Sequence, residues 1–487
     1  MRILIYLALL LYTNNIVAQS VTGKIIDNKQ QPVAYVSIQI GPTYGVVSNE
    51  EGDFVINIPK ENDSDKVIFS CIGFENLEVP LYDFKSGTYT LKEKVNVLDE
   101  VFITNKKLTP IEILTEVKKN APTNYNNETV KETFFLRSSF NNKVIDSKFE
   151  LVKSSLDKKS TLKDINKDLD SNSKKFINRS SKDYAESYGF LYQQNNEAKL
   201  FIEKAVELKN KEKDVSGDQM NKKLIEVMKR HLEPDATYKV KSGLFPIDDS
   251  LKIKNSSKEV RTGVKTASLR NQITSLSTYL NKFYTNKTLD FLTEFKRYTY
   301  TLEGYTSFND ETVYVIDFKP EKSSAKYYGK IYVNASDYAI VKLQYNLADG
   351  EVQESVNLKF LLGVKMVEDQ VKITATFTKD ERGIYALNFV KKEQRTYMYM
   401  NRPLKFTKNK TDKDEETKML KINLLAEINS NSMHELFIID RKPINNDEYK
   451  KFTEKEKYDI NYLEKYDASV WKNYNILAPV EAIKNYD

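Results

Sequence analysis

Between Val21 and Leu91 the apolar residues come in short runs cut by Gly, Pro and Asn, and no stretch repeats them at helical spacing. That rhythm narrows the available folds more than any other feature of the chain. Val21 to Asp27 reads as a strand, closed by a turn at Asn28 to Pro32. Val33 to Ile40 follows, with Val36, Ile38 and Ile40 on one face, until Gly41-Pro42 breaks it. Tyr44 to Ser48 turns at Asn49-Glu50-Glu51-Gly52 into Phe54 to Ile58, which Pro59 ends. Val67 to Ser70, Leu77 to Leu81 and Thr88 to Leu91 complete the set. Seven short strands predict a β-sandwich over residues 20–105, expected to fold on its own. Gly52 stands where a hairpin needs positive φ, and Phe54 then points into the core. Cys71, the sole cysteine, excludes an intrachain disulfide and is expected to be buried at the end of a core strand.

The order and spacing of these residues carry a resemblance. Val21-x-Gly23-x-Ile25-x-Asp27, Pro32-Val33-x-Tyr35-Val36-x-Ile38, Ser48-Asn49-x-x-Gly52-x-Phe54-x-Ile56 and Ser70-x-Ile72-Gly73-Phe74 lead to a closing Leu98-Asp99-Glu100-Val101-Phe102-Ile103. This pattern resembles the carboxypeptidase-regulatory-like domain, a transthyretin-type sandwich found in envelope proteins of Bacteroidota. Ser48-Asn49 stands where Thr-Asp is commoner. The resemblance implies a structural module: nothing in the motif is a nucleophile, a base or a ligand set.

Residues 1–19 have the three parts of a secretory signal: Arg2, the apolar run Ile3 to Tyr12, and a polar segment leading to Ala18 before Gln19. The run is too short to span a bilayer, which needs about 20 residues. The mature chain is therefore expected to be exported without a transmembrane segment, and to be periplasmic or peripherally associated with the outer membrane. Residues 20–105 carry 7 Lys against 13 acidic residues, and 106–487 carry 67 Lys and Arg against 56 acidic residues. The basic excess is interleaved with acid over a long stretch, so no nucleic-acid footprint is expected.

The rest reads as a multidomain, β-rich α+β chain. Residues 106–287 form a mixed helix and strand region. Thr109, Pro110 and Glu112 open a helix with a capping box; Ile111, Ile113, Leu114 and Val117 are its apolar face, and Asn120-Ala121-Pro122 is expected to stop it. Ser154 to Asp183 reads as polar loop, and Glu197 to Leu208 as helix. Leu224, Ile225, Met228 and Leu232 form one helical stripe, and Ile273, Leu276, Leu280 and Phe283 another. Residues 288–400 alternate as a bent antiparallel meander, compatible with a half-barrel: Val371, Ile373, Ala375 and Phe377 face one way, Lys372, Thr374, Thr376 and Thr378 the other. The helical stripes are expected to fill the apolar face of this sheet. A polar linker at 401–418 and a small mixed region at 419–487 with Trp471 follow.

No catalytic, cofactor-binding or metal-ligating residues are expected, and no cofactor. A zinc peptidase needs two histidines and a glutamate on the metal, whereas this chain has only His231 and His434, far apart. There is no Gly-x-Ser-x-Gly elbow and no glycine-rich phosphate loop. Tyrosine outnumbers phenylalanine 31 to 24, so recognition would fall to pairs such as Tyr327-Tyr328 and Tyr397-x-Tyr399, which suit sugars. The expectation is a non-catalytic envelope protein that binds or scaffolds an envelope protein, glycan or lipid. The alternatives are a lipid or lipoprotein carrier with a half-barrel, and a hydrolase using an unrecognised carboxylate pair.

Overall fold

The computed structural model of the chain describes residues 20–41, 44–58, 64–94, 108–125, 128–155, 159–195, 197–210, 226, 229, 232–233, 235–252, 263–284, 287–410 and 418–486. The segments 1–19 and 98–103, with the expected export signal and the closing sandwich motif, lie outside the described residues, as does His231. The chain divides into two compact units, one made of 1–96, 306–311 and 467–484, the other of 97–305, 312–466 and 485–487.

The first unit contains the sandwich. Its strands are β1 (Ser20–Ile26), β2 (Ser37–Ile40), β3 (Tyr44–Val47), β4 (Asp53–Asn57), β5 (Lys66–Ser70), β6 (Leu77–Pro80) and β7 (Gly87–Thr90). All seven expected strands are present, as one sheet ordered β4-β1-β7 and a second ordered β3-β2-β5-β6. Val21, Ile25, Val36, Ile38, Ile40, Phe54, Ile56, Val67 and Phe69 fill the space between them. Phe54 lies within 5.8–6.2 Å of the rings of Phe69, Phe84 and Tyr89. Gly52 has φ +78°, and a Cβ there would meet the Ile25 carbonyl oxygen at 2.4 Å, so the turn admits only glycine.

Three expectations for this unit need correction. The second strand begins at Ser37, not Val33, because Tyr35 takes a left-handed conformation (φ 58°) that breaks the extended run. Cys71 falls just past β5 and is partly exposed. Nor do residues 20–105 make the unit by themselves. The backbone N–H of Asn57 donates to Asn475 Oδ1 (3.0 Å), and Asn57 Nδ2 donates to the Tyr474 carbonyl (2.9 Å). Asn49 Nδ2 donates to the Ala478 carbonyl (3.2 Å), and Trp471, Leu477 and Ile483 are buried.

The second unit is built on one large open sheet. In chain order it contains β8 (Val130–Ser154), β9 (Ser180–Gln194), β10 (Glu197–Leu208), β11 (Thr237–Ser242), β12 (Phe245–Lys252), the short β13 (Val264–Lys265), β14 (Tyr298–Phe308), β15 (Glu311–Pro320), β16 (Tyr327–Asn334), β17 (Ile340–Leu347), β18 (Glu354–Leu358), β19 (Val364–Lys379), β20 (Tyr385–Lys408), β21 (Met419–Pro443), β22 (Lys457–Tyr458) and β23 (Asn461–Leu463). The sheet order is β14-β15-β16-β17-β19-β20-β21-β8-β9-β10-β23, with β18 on β19 and the β11–β12 hairpin on β20; β13 and β22 pair separately. The two ends of this order do not pair, so the sheet is bent but not a closed barrel.

The described helices are α1 (Pro110–Asn124), α2 (Lys159–Lys174), α3 (Thr266–Asn281), the single turn α4 (Lys359–Leu362) and the short α5 (Asn446–Lys451) and α6 (Glu481–Lys484), besides 3-10 turns. The capping box of α1 is present: Glu112 N–H donates to Thr109 Oγ1 (3.3 Å), and Thr109 N–H to Glu112 Oε2 (2.8 Å). The helix passes through Pro122 to Asn124, beyond its expected stop, and Ile111 is half exposed. Tertiary contact explains the extension. Tyr125 is buried edge-on against Phe283 and Phe377, and its hydroxyl donates to the Ile340 carbonyl (2.6 Å). The stripe Ile273, Leu276, Leu280 and Phe283 is buried as expected, and α3 packs on β10 and β20. Phe283, just past α3, and Tyr125, just past α1, pack on Phe377 of the apolar face, whose Val371, Ile373 and Ala375 are also buried.

Other expectations for this unit fail. Glu197 to Leu208 is strand β10, not helix: it pairs along its length with β9, with a bulge between Ile202 and Lys204. A Cβ on Gly189 would meet the Phe201 carbonyl oxygen at 2.0 Å, so the partner strand has glycine where the two backbones close up. The expected polar loop from Ser154 to Asp183 holds α2 and the start of β9. Leu162, Ile165 and Leu169 of α2 pack on a separate core of Phe149, Leu151, Tyr238, Val240, Phe406, Leu420 and Ile422. Beyond Lys143 β9 no longer flanks β8, and there Asn166 takes a strand's place, donating to the Leu151 carbonyl (2.9 Å) and accepting from its N–H (2.7 Å). Residues 401–408, expected as linker, finish β20, and the 419–487 region opens with the 25-residue β21 at the centre of the sheet. Leu224, Ile225 and Met228 lie outside the described residues, whereas Leu232 belongs to the α2 core.

Candidate functional site

Because side chains alternate along a strand, directly opposed residues of neighbouring strands share a face. One row on the face away from α3 runs Lys391 (β20), Glu435 (β21), Arg137 (β8), Glu186 (β9). All four are buried, and their charges alternate. Arg137 Nε donates to Glu186 Oε1 at 2.7 Å with 1% and 3% of the two side chains exposed. Burial alone would pull the Arg137 guanidinium down, but Glu186 and Glu435 on either side more than offset that and hold it above its ordinary value. This row is therefore a buried, charge-alternating ladder.

The next two rows open into a groove of about 810 Å³. Its floor is Asn346, Lys372, Glu393, Met433 and Ser139, then Gln370, Arg395, Asn431 and Asn141, and residues 347–352, Tyr328, Val367 and Asp369 are among the rest of the lining. The charges of its floor are already matched. Arg395 makes two parallel bonds to Asp369 (2.8 and 2.9 Å), and Glu393 lies 3.5 Å from Lys372 and 3.4 Å from Lys391. Such a surface presents hydrogen-bonding groups and one exposed aromatic ring, the usual means of holding a polar ligand by shape. A carboxylate pair poised for acid–base work would need its two members in contrasting environments, and Asp369 and Glu393 each have a cation instead.

The tyrosine pairs divide. Tyr328 is exposed on the groove, whereas Tyr327 is buried, donates to Gln353 Oε1 (2.6 Å) and is pushed up to about 12, chiefly by burial. Tyr397 donates to Glu427 Oε1 (2.8 Å), and Tyr399 lies under the Lys359 ammonium, 4.0 Å from its ring centre.

His434 sits on the opposite face of β21 beneath α3. Its Nδ1 is 2.9 Å from both Ser138 Oγ and Gln272 Nε2. With Gln272 donating to Nδ1, the proton of the neutral ring belongs on Nε2. Burial first, and then the Lys392 charge, lowers His434 to about 4. A histidine that resists protonation to that degree is a poor base for its neighbouring serine, and the trio reads as packing. Among the described residues the acidic trio Glu51, Asp53 and Glu481 has metal-like spacing. Lys24 and Lys484 neutralise it instead, at 3.4 and 3.2 Å from Asp53, with Lys484 also 2.8 Å from Glu481.

Sequence reasoning missed the ladder and the groove floor, since each row draws on strands far apart in the chain. One signal was available: Arg137 directly follows Phe134-Phe135-Leu136, and Glu435 directly precedes Leu436-Phe437-Ile438-Ile439, each charge abutting an apolar run.

Comparison with known proteins bears on the first unit. The family model for the CarboxypepD_reg-like domain matches residues 21–103. This domain is a regulatory, non-catalytic fold. No curated protein and no solved structure matches the chain.

Proposed function

We propose that a chain joining a CarboxypepD_reg-like domain to a sheet whose apolar face is already filled is a non-catalytic binding or scaffold protein of the cell envelope, exported and working at the periplasmic side of the outer membrane. The observation that carries this reading is the division of the large sheet. Tyr125 after α1 and Phe283 after α3 pack on the buried apolar face at Phe377, and the groove on the other face has a polar floor whose charges are paired. A lipid carrier would need the reverse, an open apolar concavity. A hydrolase would need a reactive group without a neutralising neighbour.

On this reading the groove takes a polar ligand such as an envelope glycan or an extended peptide. Titration of the purified chain with soluble glycan fragments and peptides from the native envelope tests it. Arg395→Ala with Lys372→Ala should weaken binding at least tenfold, the effect of losing about 1.4 kcal/mol of polar contact. Retained affinity in that variant would move the ligand elsewhere. A stoichiometric acyl lipid in a solvent extract of detergent-free protein would replace the reading with the carrier. The intact mass of native protein should begin near Gln19; a full-length chain in the cytosol would remove the envelope assignment.

A further inference from the structure

Strand β20 changes partner partway along. β19 accompanies it as far as Val364 opposite Met400, and β11 takes over at Ser242 opposite Leu404. At this seam two loops leave the sheet, α4 with its flanks and the turn between β11 and β12. Arg402 ties them together, donating through Nη1 to the Leu362 carbonyl (2.5 Å), and through Nε and Nη2 to Ser242 Oγ and its carbonyl (2.8 Å each). The pinned loops and the start of β12 leave apolar side chains exposed: Phe360 is 99% exposed, Leu244 92% and Leu361 75%, with Ile247 59% and Phe245 51% on β12. A single exposed leucine is ordinary, but five large apolar side chains held at one seam are not.

Beside the seam lies a second anomaly. Lys241 (β11), Lys405 (β20), Lys421 (β21) and Lys153 (β8) are directly opposed, each to the next, across four strands. Directly opposed side chains stand about 5 Å apart, and like charges in that arrangement destabilise a sheet. Among the described residues none of the four has an acidic partner within 4 Å, and three are exposed, with Lys421 half-buried. A further lysine, Lys359, is held over Tyr399 at the base of α4.

We propose that this seam is a membrane-docking surface, with the tips of α4 and the β11–β12 turn entering the interfacial layer of a bilayer and the lysine row meeting its anionic headgroups. Protruding tips offer a folded partner little flat area to match, whereas a fluid bilayer closes around them. The unpaired lysines select a negatively charged surface. The inference deepens the envelope reading by saying how the chain reaches a membrane, and it does not depend on what the groove binds.

Co-sedimentation of the full chain with vesicles tests it, using phosphatidylglycerol with phosphatidylethanolamine against phosphatidylcholine alone. Wild-type protein should sediment with the anionic vesicles at least tenfold more tightly than with the neutral ones, and less so as salt rises. The triple variant Leu244→Ser, Phe360→Ser, Leu361→Ser and the double variant Lys405→Glu, Lys421→Glu should each lose at least tenfold, with unchanged circular dichroism. Leu361→Trp keeps the tip apolar and should add a blue-shifted emission on anionic vesicles. The inference is overturned if wild type stays in the supernatant, if the variants sediment like wild type, or if the added tryptophan stays in water. It is also overturned if wild type proves to be a dimer that the triple variant dissociates, since the tips would then meet a second copy. Loss of groove binding in Arg395→Ala with Lys372→Ala should leave vesicle binding intact, which separates failure of one reading from failure of the other.

Discussion

β20, β21 and β8 carry a four-residue charge row at each end, on the same face, and the two rows follow opposite rules. At one end Lys391, Glu435, Arg137 and Glu186 alternate in sign and are buried. At the other, Lys241, Lys405, Lys421 and Lys153 share a sign and lie open. Lys391 and Lys405 stand about 45 Å apart along β20 at the rise of a strand. Alternation lets charges be withdrawn from water, because Arg137 meets Glu186 and Glu435 inside the row and Lys391 meets Glu393 beside it. The uniform row has no internal counterion, and water and salt must screen it. The first arrangement completes itself, and the second is complete only with an anion from outside.

The largest effect should come from breaking the alternating row. Arg137→Met removes the cation between Glu186 and Glu435 in the interior and should cost about 3–5 kcal/mol in urea unfolding. Replacing Arg137, Glu186 and Glu435 together by Met, Leu and Leu should recover most of that loss, because it is the unpaired charge that costs. A single substitution worth under about 1 kcal/mol would mean the row is hydrated and the contrast is false.

The alternating end should also respond to acid, through His434 on its other face. Its folded value of about 4 lies below the ordinary 6.5, so the unfolded chain binds the proton more readily. Its contribution is whole above about pH 6.5 and is lost as pH falls toward 4, by roughly 3 kcal/mol at the limit. His434→Gln should flatten stability across that window, measured by urea midpoints at successive pH values. A wild-type profile that is already flat there would show the ring to be accessible to water.

The smallest effect should have the opposite sign. Lys405→Gln relieves two like-charge neighbours and should stabilise the fold by about 0.5 kcal/mol, less in high salt. A destabilised variant would show the row to be matched from within, and the two ends would then obey one rule.

How much of this could be read from the sequence depends on the range of the interactions. The seven sandwich strands were legible, because turn residues and alternation act over a few positions; Phe54 and the α3 stripe fall where the pattern puts them. Glu197 to Leu208 misled, since Ala198, Leu200, Ile202, Ala205 and Val206 satisfy both periods loosely and only pairing with β9 decides. The long strands misled in another way. Residues 401–408 are polar because they lie in a sheet open on one face, and polarity imitates a linker. Asn49 and Asn57 gave no hint that the C-terminal segment would satisfy them. Neither charge row was legible, since register alone aligns residues so distant in the chain. Phe360 and Leu361 in isolation are indistinguishable from core.

The pairing of β8 with β21 also bears on the order in which the chain can fold. Val130 meets Pro443 and Ser154 meets Leu420, partners separated by roughly three hundred residues. Closing such a loop carries an entropic barrier that local hairpins do not face. The hairpin of β8 with β9, and the meander through β20, can form early, but the seam joining them must wait for β21 to be synthesised. During that interval the edges of both β8 and β20 stand unpaired along some two dozen residues each, long enough to capture a neighbouring chain. A chain with this topology gains from being held unfolded until its last third is free, so delayed folding suits it better than fast folding.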